Sequence, residues 1–464
     1  MGVRVEKPPL KTTASRRAGL NLLGTLPKMI EPTGRLVEIE RLGPATFPTN
    51  WRVARRAGDW SLVDPAVRVR VRADWPLPPD HEELWFERAG PRRWLRFDPT
   101  QTKAAIVTCG GLCPGLNNVI RSVYLELTRN YGVPTVLGIR HGYLGLTAEG
   151  PPPEVLTMER VGPIHRMGGT ILGSSRGQRD TAEMAATLER LGITMLFCVG
   201  GDGTQRGALA IGREIRAHGK EIAVVGIPKT IDNDLMYTDR TFGFDTAIQI
   251  AHQVIQVAHT EAKAGVRGIG LVKLMGRDSG FIAAMATLAC QEVNVTLIPE
   301  VPFRLEGEEG LLAVLERRLD QRGHAVVVVA EGAGQDLFEG GPEALGFDAS
   351  GNRRYHDIGL FLKERITDHF KAIGKPADLK YLDPSYIIRS TPAICTDSAL
   401  CDQLGRDAVH AALAGMTNVV VTRLNNLPAL VPMEMTVSRK RVIDPQGPIW
   451  TSVLAATGQP PLLR

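Results

Sequence analysis

The sequence predicts an α/β protein with two parallel sheets, a cleft between them and an N-terminal extension. Three observations carry this expectation. Short apolar runs of strand length alternate with helical segments from residue 103 to about 330. Several of these strands stop at a polar, glycine-rich or Asp-rich loop that opens directly into a helix. The first hundred residues also differ in composition from the rest.

The pattern is clearest in residues 196–235. Leu196–Val199 is apolar and stops at Gly200-Gly201, with Asp202, Thr204 and Gln205 where a helix would begin. A second run, Ile222–Ile227, stops at Pro228, and Lys229, Thr230, Asp232, Asn233 and Asp234 follow. In a parallel sheet both loops leave the carboxyl ends of their strands, where open α/β folds bind ligands. Glycine lets phosphate oxygens approach backbone N–H groups, and a following helix N-terminus favours an anion. Asp202, Asp232 and Asp234 in one crevice suit Mg²⁺ ligation and proton abstraction. These are the parts of a phosphoryl-transfer site.

The other elements follow in chain order. Residues 1 to about 30 carry Arg4, Lys7, Lys11, Arg16 and Arg17 among Pro, Thr and Ser, and read as a mobile arm rather than a transit peptide. Five of the six tryptophans (51, 60, 75, 85 and 94) fall in the first hundred residues. Val67–Arg72 alternates with period two, as a half-buried strand does, so residues 1–102 are expected to hold a small β-containing domain.

Ala104–Thr108 is a strand running into the loop 109–118 and then the helix Val119–Thr128. The loop is neither a Walker A pattern nor G-x-G-x-x-G. Gly168–Arg179 is a second polar loop, with Arg176 and Arg179 placed to pair with phosphates, before a helix from Thr181 to Leu191. A long helix ends near Ala264. The strand Gly268–Lys273 runs into Met275-Gly276-Arg277 and the helix Phe281–Cys290. Ala325–Val329 is an apolar strand closed by Glu331-Gly332, and residues 380–389 form an extended piece carrying Lys380, Tyr386 and Arg389. A helix at Ser398–Ala414, a strand at Asn418–Thr422 and a segment Val431–Ile443 that packs back across the domains complete the chain.

Composition excludes several classes. Hydrophobic content of 43% with 23% charged residues is that of a soluble globular protein, and no apolar run reaches the roughly 18 residues needed to span a membrane. The net charge of +5 suits a basic patch around an anionic metabolite better than nucleic acid. The six cysteines show no paired CxxC spacing and read as reduced core or loop residues, which favours the cytoplasm. His141, His252 and His259 show no ligand spacing with carboxylates and are expected to be structural or solvated.

Taken together, Gly200-Gly201-Asp202-Gly203-Thr204, Pro228–Asp234, Met275-Gly276-Arg277 and Glu331-Gly332 resemble the 6-phosphofructokinase family. The loop TCGGLCPGLNNVIR and the phrase KYLDPSYIIRS are similar to its long plant- and trypanosomatid-type branch, over residues 103 to about 430. Diacylglycerol and NAD kinases share a GGDG-type loop but lack the PKTIDND and MGR segments. A non-catalytic subunit of the same fold would have lost the carboxylates that this chain keeps.

The resemblance implies two Rossmann-like domains. Residues 103–240, completed by about 391–430, would bind nucleotide; 241–390 would bind the sugar phosphate; 431–464 would pack across both. Fructose 6-phosphate would be phosphorylated at its 1-hydroxyl by Mg-ATP. The resemblance makes Asp232, with an ordinary pKa, the general base, Asp202 the Mg²⁺ ligand, Thr230 a donor to the moving phosphoryl group and Arg277 a neutraliser of charge. Gly110, Arg176, Gly177, Gly201, Gly203 and Thr204 match nucleotide-phosphate positions. Thr230, Asp232, Met275, Gly276, Arg277, Glu331, Lys380, Tyr386 and Arg389 match sugar-phosphate positions. Lys380 falls where a neighbouring subunit contributes, which implies a homo-oligomer, a dimer or tetramer, and the family's interface arginine has only Arg267, one residue displaced, as its counterpart. Gly203 points to ATP as donor. Lys229 occurs in pyrophosphate-using members too, so the alternative donor is pyrophosphate.

Overall fold

The computed structural model describes residues 34–73, 82–341, 345–347 and 353–463. The expected N-terminal arm and Trp75 lie outside them. The sheets are built from the apolar runs read above: Lys103–Thr108, Met195–Gly200, Gly268–Leu274 and His324–Ala330 are each one or two residues longer, and Ala223–Pro228 is shifted by one residue. Each is buried over most of its length on both faces, which is why these strands read as continuous hydrophobic runs rather than alternating ones.

The first sheet contains ten strands among the described residues. Its centre is parallel, in the order Val419–Leu424, Ala223–Pro228, Met195–Gly200, Lys103–Thr108 and Thr135–Ile139. Beyond Val419–Leu424 the chain turns back through Leu427–Pro432, and Leu84–Arg88 pairs antiparallel with that strand. Arg68–Arg70 and Arg35–Leu36 pair with Leu84–Arg88 in turn. These N-terminal strands therefore extend the large sheet and cover its edge. Phe86, fully buried, packs with Val69, Leu424, Ala429 and Val431. A separate two-stranded pair joins Phe47–Pro48 to Trp94–Leu95.

The second sheet is wholly parallel, in the order Val295–Leu297, His324–Ala330, Gly268–Leu274 and Asp378–Leu382. Residues 380–389, expected as one extended piece, divide into that last strand and a short helix, Ser385–Ser390. Asp383 makes the break: its Oδ1 accepts the Ser385 N–H at 3.0 Å, beside a proline that favours the start of a helix. The helix expected at Val119–Thr128 runs as Leu116–Leu125 and continues as a π-helix over Glu126–Tyr131.

Register puts the loops together. Gly200 pairs with Pro228, and Thr108 with Val199, so three strands end at one level. Backbone bonds carry the pairing past the strand ends: Cys109 N–H donates to Val199 C=O, and Lys229 N–H to Gly200 C=O, both at 3.0 Å. In the second sheet Leu274 pairs with Ala330, and Glu331 N–H donates to Leu274 C=O at 2.8 Å.

Candidate active site

A cavity of about 480 Å³ opens over the carboxyl ends of these strands. Of the residues singled out in the sequence, Gly110, Arg176, Gly177, Gly201, Asp202, Gly203, Thr204, Thr230, Asp232, Met275, Arg277 and Arg389 line it. Asp202, Asp232 and Arg277 thus face one hollow, although they come from three loops in two sheets.

The wall formed by the glycine loops is stitched by backbone bonds. Gly110 N–H donates to Ser175 C=O at 3.2 Å, and Ser174 Oγ donates to Gly110 C=O at 2.5 Å. Lys229 is buried, and its Nζ donates to Gly111 C=O at 2.6 Å, fixing the same turn from below. A Cβ on Gly111 would lie 2.7 Å from an Arg389 guanidinium nitrogen and 3.4 Å from one of Arg176. Two arginines from different loops therefore converge on this backbone, and two like charges side by side favour an anion between them.

Asp202 opens the helix Asp202–Ala217, where the helix dipole favours negative charge. Arg206, one turn on, donates to its Oδ2 at 2.6 Å. Burial nevertheless raises the Asp202 pKa, against the pull of Arg206 and Lys440.

Asp232 is 8% exposed, and its Oδ1 has no hydrogen-bond partner. The loop holds it by its backbone: its N–H donates to Thr230 Oγ1 at 3.1 Å, and Ser279 Oγ donates to its C=O at 3.2 Å. Burial, then the charges of Asp234 and Glu331, push its pKa up to about 8, against Arg277 and Lys440. The carboxylate of ordinary pKa expected from the sequence is therefore not what the fold makes. Desolvation among acidic neighbours produces a base whose proton affinity lies near neutrality.

On the sugar-facing side, Arg277 takes a left-handed backbone conformation, φ 36°, and its N–H donates to Glu331 Oε1 at 3.2 Å. Gly332 is needed here: a Cβ on it would stand 1.7 Å from Arg277 C=O. Burial raises the Glu331 pKa, against the Arg277 charge. Gly276 and Glu331 support the wall without lining the cavity.

Lys380 and Tyr386 are not brought in. Lys380 pairs with Asp378 at 2.9 Å on the outer strand, and Tyr386 is 81% exposed. The break at Asp383 turns the next helix so that Arg389 faces the cavity while Tyr386 faces outward. Arg267 likewise pairs with Asp320 at 2.6 Å, away from the cavity.

Sequence reasoning missed Lys440 and Asp278. Lys440 lines the cavity from the C-terminal segment, and its Nζ donates to Asp278 Oδ2. The basic run Arg439-Lys440-Arg441 was the only signal in the sequence, and nothing local ties it to loops two hundred residues away.

Among the described residues no helix is long and apolar enough to cross a membrane. Residues 103–412 match the family described as phosphofructokinase. The chain is similar to the ATP-dependent 6-phosphofructokinase of Borreliella burgdorferi, at 49% identity over 387 residues, covering 82% of this chain and 86% of the relative. It is similar to that of Trypanosoma brucei brucei at 43% identity over 431 residues, covering 91% and 87%. A solved pyrophosphate-dependent phosphofructokinase from Marinobacter aquaeolei shares the fold, with a TM-score of 0.63 at 21% identity over 77% of this chain and 91% of that one. A match over the two sheets and the loops between them, with the cavity where those loops meet, places the chain in the phosphofructokinase family.

Proposed function

We propose that the chain is an ATP-dependent 6-phosphofructokinase that transfers the γ-phosphoryl group of ATP to the 1-hydroxyl of fructose 6-phosphate. The observation that carries the reading is Asp232, buried with one carboxylate oxygen unpartnered, in the lining of the hollow that it shares with Asp202, the glycine loops and Arg277.

Asp232 takes the proton from the attacking hydroxyl as the new P–O bond forms. Its raised proton affinity makes it a stronger base than an exposed aspartate. Thr230 orients the loop through its hydroxyl, whose one proton goes to Asp234 Oδ1 at rest and turns to the moving group during transfer. Arg277 opposes the charge that develops on that group. The glycine loops at Gly110, Gly201 and Gly203, with Thr204 and Arg176, hold the donor phosphates, and Arg389 takes the sugar phosphate side, where Glu331 holds the Arg277 backbone.

The cavity offers a hard cation the carboxylate oxygens of Asp202, Asp232 and Asp234. Mg²⁺ keeps water and phosphate oxygens in its shell and needs only one or two protein carboxylates. Held by Asp202, Mg²⁺ would neutralise charge on the donor phosphates. A homo-oligomer, dimer or tetramer, is part of the reading: Lys380 and Tyr386 point away from their own cavity and are available to a neighbour's. Cytoplasmic placement rests on six unpaired cysteines. Assaying fructose 6-phosphate with ATP and with pyrophosphate tests the donor. Turnover with ATP is expected, and turnover with pyrophosphate alone would reverse the assignment.

A further inference from the structure

The segment around Lys440 lies outside every motif quoted above, yet the fold fixes it at the junction of the two sheets. Lys440 pairs with Leu235 in an antiparallel bridge, and Arg441 N–H donates to Asp234 C=O at 2.8 Å. The Arg441 guanidinium donates to the carbonyls of Thr238 and Asp239, both at 3.1 Å, and stands 4.8 Å over the Phe281 ring. Ile443 N–H donates to Glu300 Oε1 at 2.8 Å, the oxygen that also accepts Gly280 N–H at 2.9 Å. The segment is thereby bound to the loop that carries Asp232 and to the helix that follows Arg277.

This anchoring aims one side chain. Lys440 Nζ donates to Asp278 Oδ2, and Asp278 also accepts from Tyr355 Oη. Burial works against the Asp278 carboxylate, but these two bonds outweigh it and hold its pKa below the ordinary range. An ammonium has three donors, and among the described residues Asp278 takes one. The Lys440 side chain is 32% exposed, and it lines the cavity. Lys229 is turned to Gly111 and Arg206 to Asp202. Lys440, by contrast, is a cation whose charge acts on both Asp202 and Asp232. Lys440 lines the same cavity as Asp202 and Asp232, and this shared lining is what sets it beside the path between the two acids.

We propose that Lys440 is a further phosphate-contacting residue, its ammonium held by Asp278 and donating to oxygens of the phosphoryl group as it passes from donor to acceptor. The inference rests on the kinase reading given above. It makes the C-terminal segment a working part of the site, which closes only when both sheets and this segment are in register. Lysine suits the task as a point charge with rotatable donors.

The test compares Lys440→Met, Lys440→Gln and Lys440→Arg with Asp278→Asn in the full chain. The readouts are steady-state kinetics, calorimetric binding of ATP and of fructose 6-phosphate, and thermal melting. Both neutral variants are expected to lose about a hundredfold in kcat/KM for ATP, the scale of one lost transition-state donor. Fructose 6-phosphate affinity is expected to stay within about threefold, and the arginine variant to recover about tenfold of the loss. Asp278→Asn, which removes the anchor but keeps the ammonium, should lose less than about tenfold. Neutral variants within threefold of wild type would overturn the proposal. So would equal losses in Lys440→Met and Asp278→Asn with no further loss in the double variant, which marks a structural ion pair. A wild-type chain inactive with ATP and fructose 6-phosphate would instead overturn the kinase reading itself.

Discussion

The Thr230 hydroxyl donates to Asp234 Oδ1 at 2.9 Å while its oxygen accepts the Asp232 N–H at 3.1 Å. One side chain thus ties the Asp234 carboxylate and the Asp232 backbone to the end of the strand Ala223–Pro228, while Asp232 Oδ1 has no partner. Thr230→Val, which keeps the shape and removes both bonds, should lower kcat by about one to two orders of magnitude, the worth of a positioned base. Steady-state kinetics with an unchanged thermal midpoint would bear this out.

A second prediction concerns pH. The Asp232 proton affinity is raised by burial first and by Asp234 next, so kcat/KM should fall on the acid side well above the usual carboxylate range. Asp234→Asn removes a negative neighbour and should move that limb to lower pH. The sign for stability is the reverse of a salt-bridged aspartate. The folded value lies above the unfolded one, so ionised Asp232 destabilises the fold. Asp232→Asn should therefore melt higher than wild type above about pH 8, with the margin vanishing towards pH 4. Melting curves of the ligand-free pair across that range check it.

Gly332→Ala should separate the two halves of the site. Its methyl would meet Arg277 C=O at 1.7 Å and push the Arg277 loop out of place. Fructose 6-phosphate affinity should fall at least about tenfold, while ATP affinity, held by loops of the other sheet, stays within about twofold. Equal weakening of both ligands would count against this division.

The N-terminal extension should matter for stability. Glu126 is fully buried and accepts from Trp51 Nε1 at 2.7 Å, Asn130 Nδ2 at 2.6 Å and Arg406 at 2.6 Å. It joins the extension, the π-helix and the helix Cys395–Leu413 at one point. Arg406 keeps its pairing with Asp402, so Glu126→Ala chiefly leaves the Trp51 and Asn130 donors without their acceptor and should cost about 1–3 kcal/mol, read as a lower denaturant midpoint.

Much of the arrangement was legible because its signals are local. Apolar runs ending in glycine or aspartate loops mark the parallel strands, and register alone then brings Gly200, Pro228 and Thr108 to one level. What was not legible depends on partners distant in sequence. Leu84–Arg88 joins the large sheet because Leu427–Pro432 leaves an edge for it, and no pattern within the first hundred residues contains that fact. Lys440 reaches the cavity through bonds to Leu235 and Asp278. The proton affinity of Asp232 comes first from burial, then from Asp234 two residues on and Glu331 a hundred residues on, so the sequence showed only the Asp234 part of it. Tyr386 and Lys380 carry the expected motif letters, but the turn at Asp383 points Tyr386 outward and Lys380 pairs with Asp378 on the edge strand before it.

The central claim is that Asp232 is the base that deprotonates the sugar hydroxyl. Single-turnover phosphorylation by Asp232→Asn, measured beside its calorimetric affinity for fructose 6-phosphate, tests that most directly. The account predicts a loss of several orders of magnitude in the phosphorylation rate, with sugar-phosphate affinity within about threefold of wild type. A rate near that of wild type at intact affinity would contradict it.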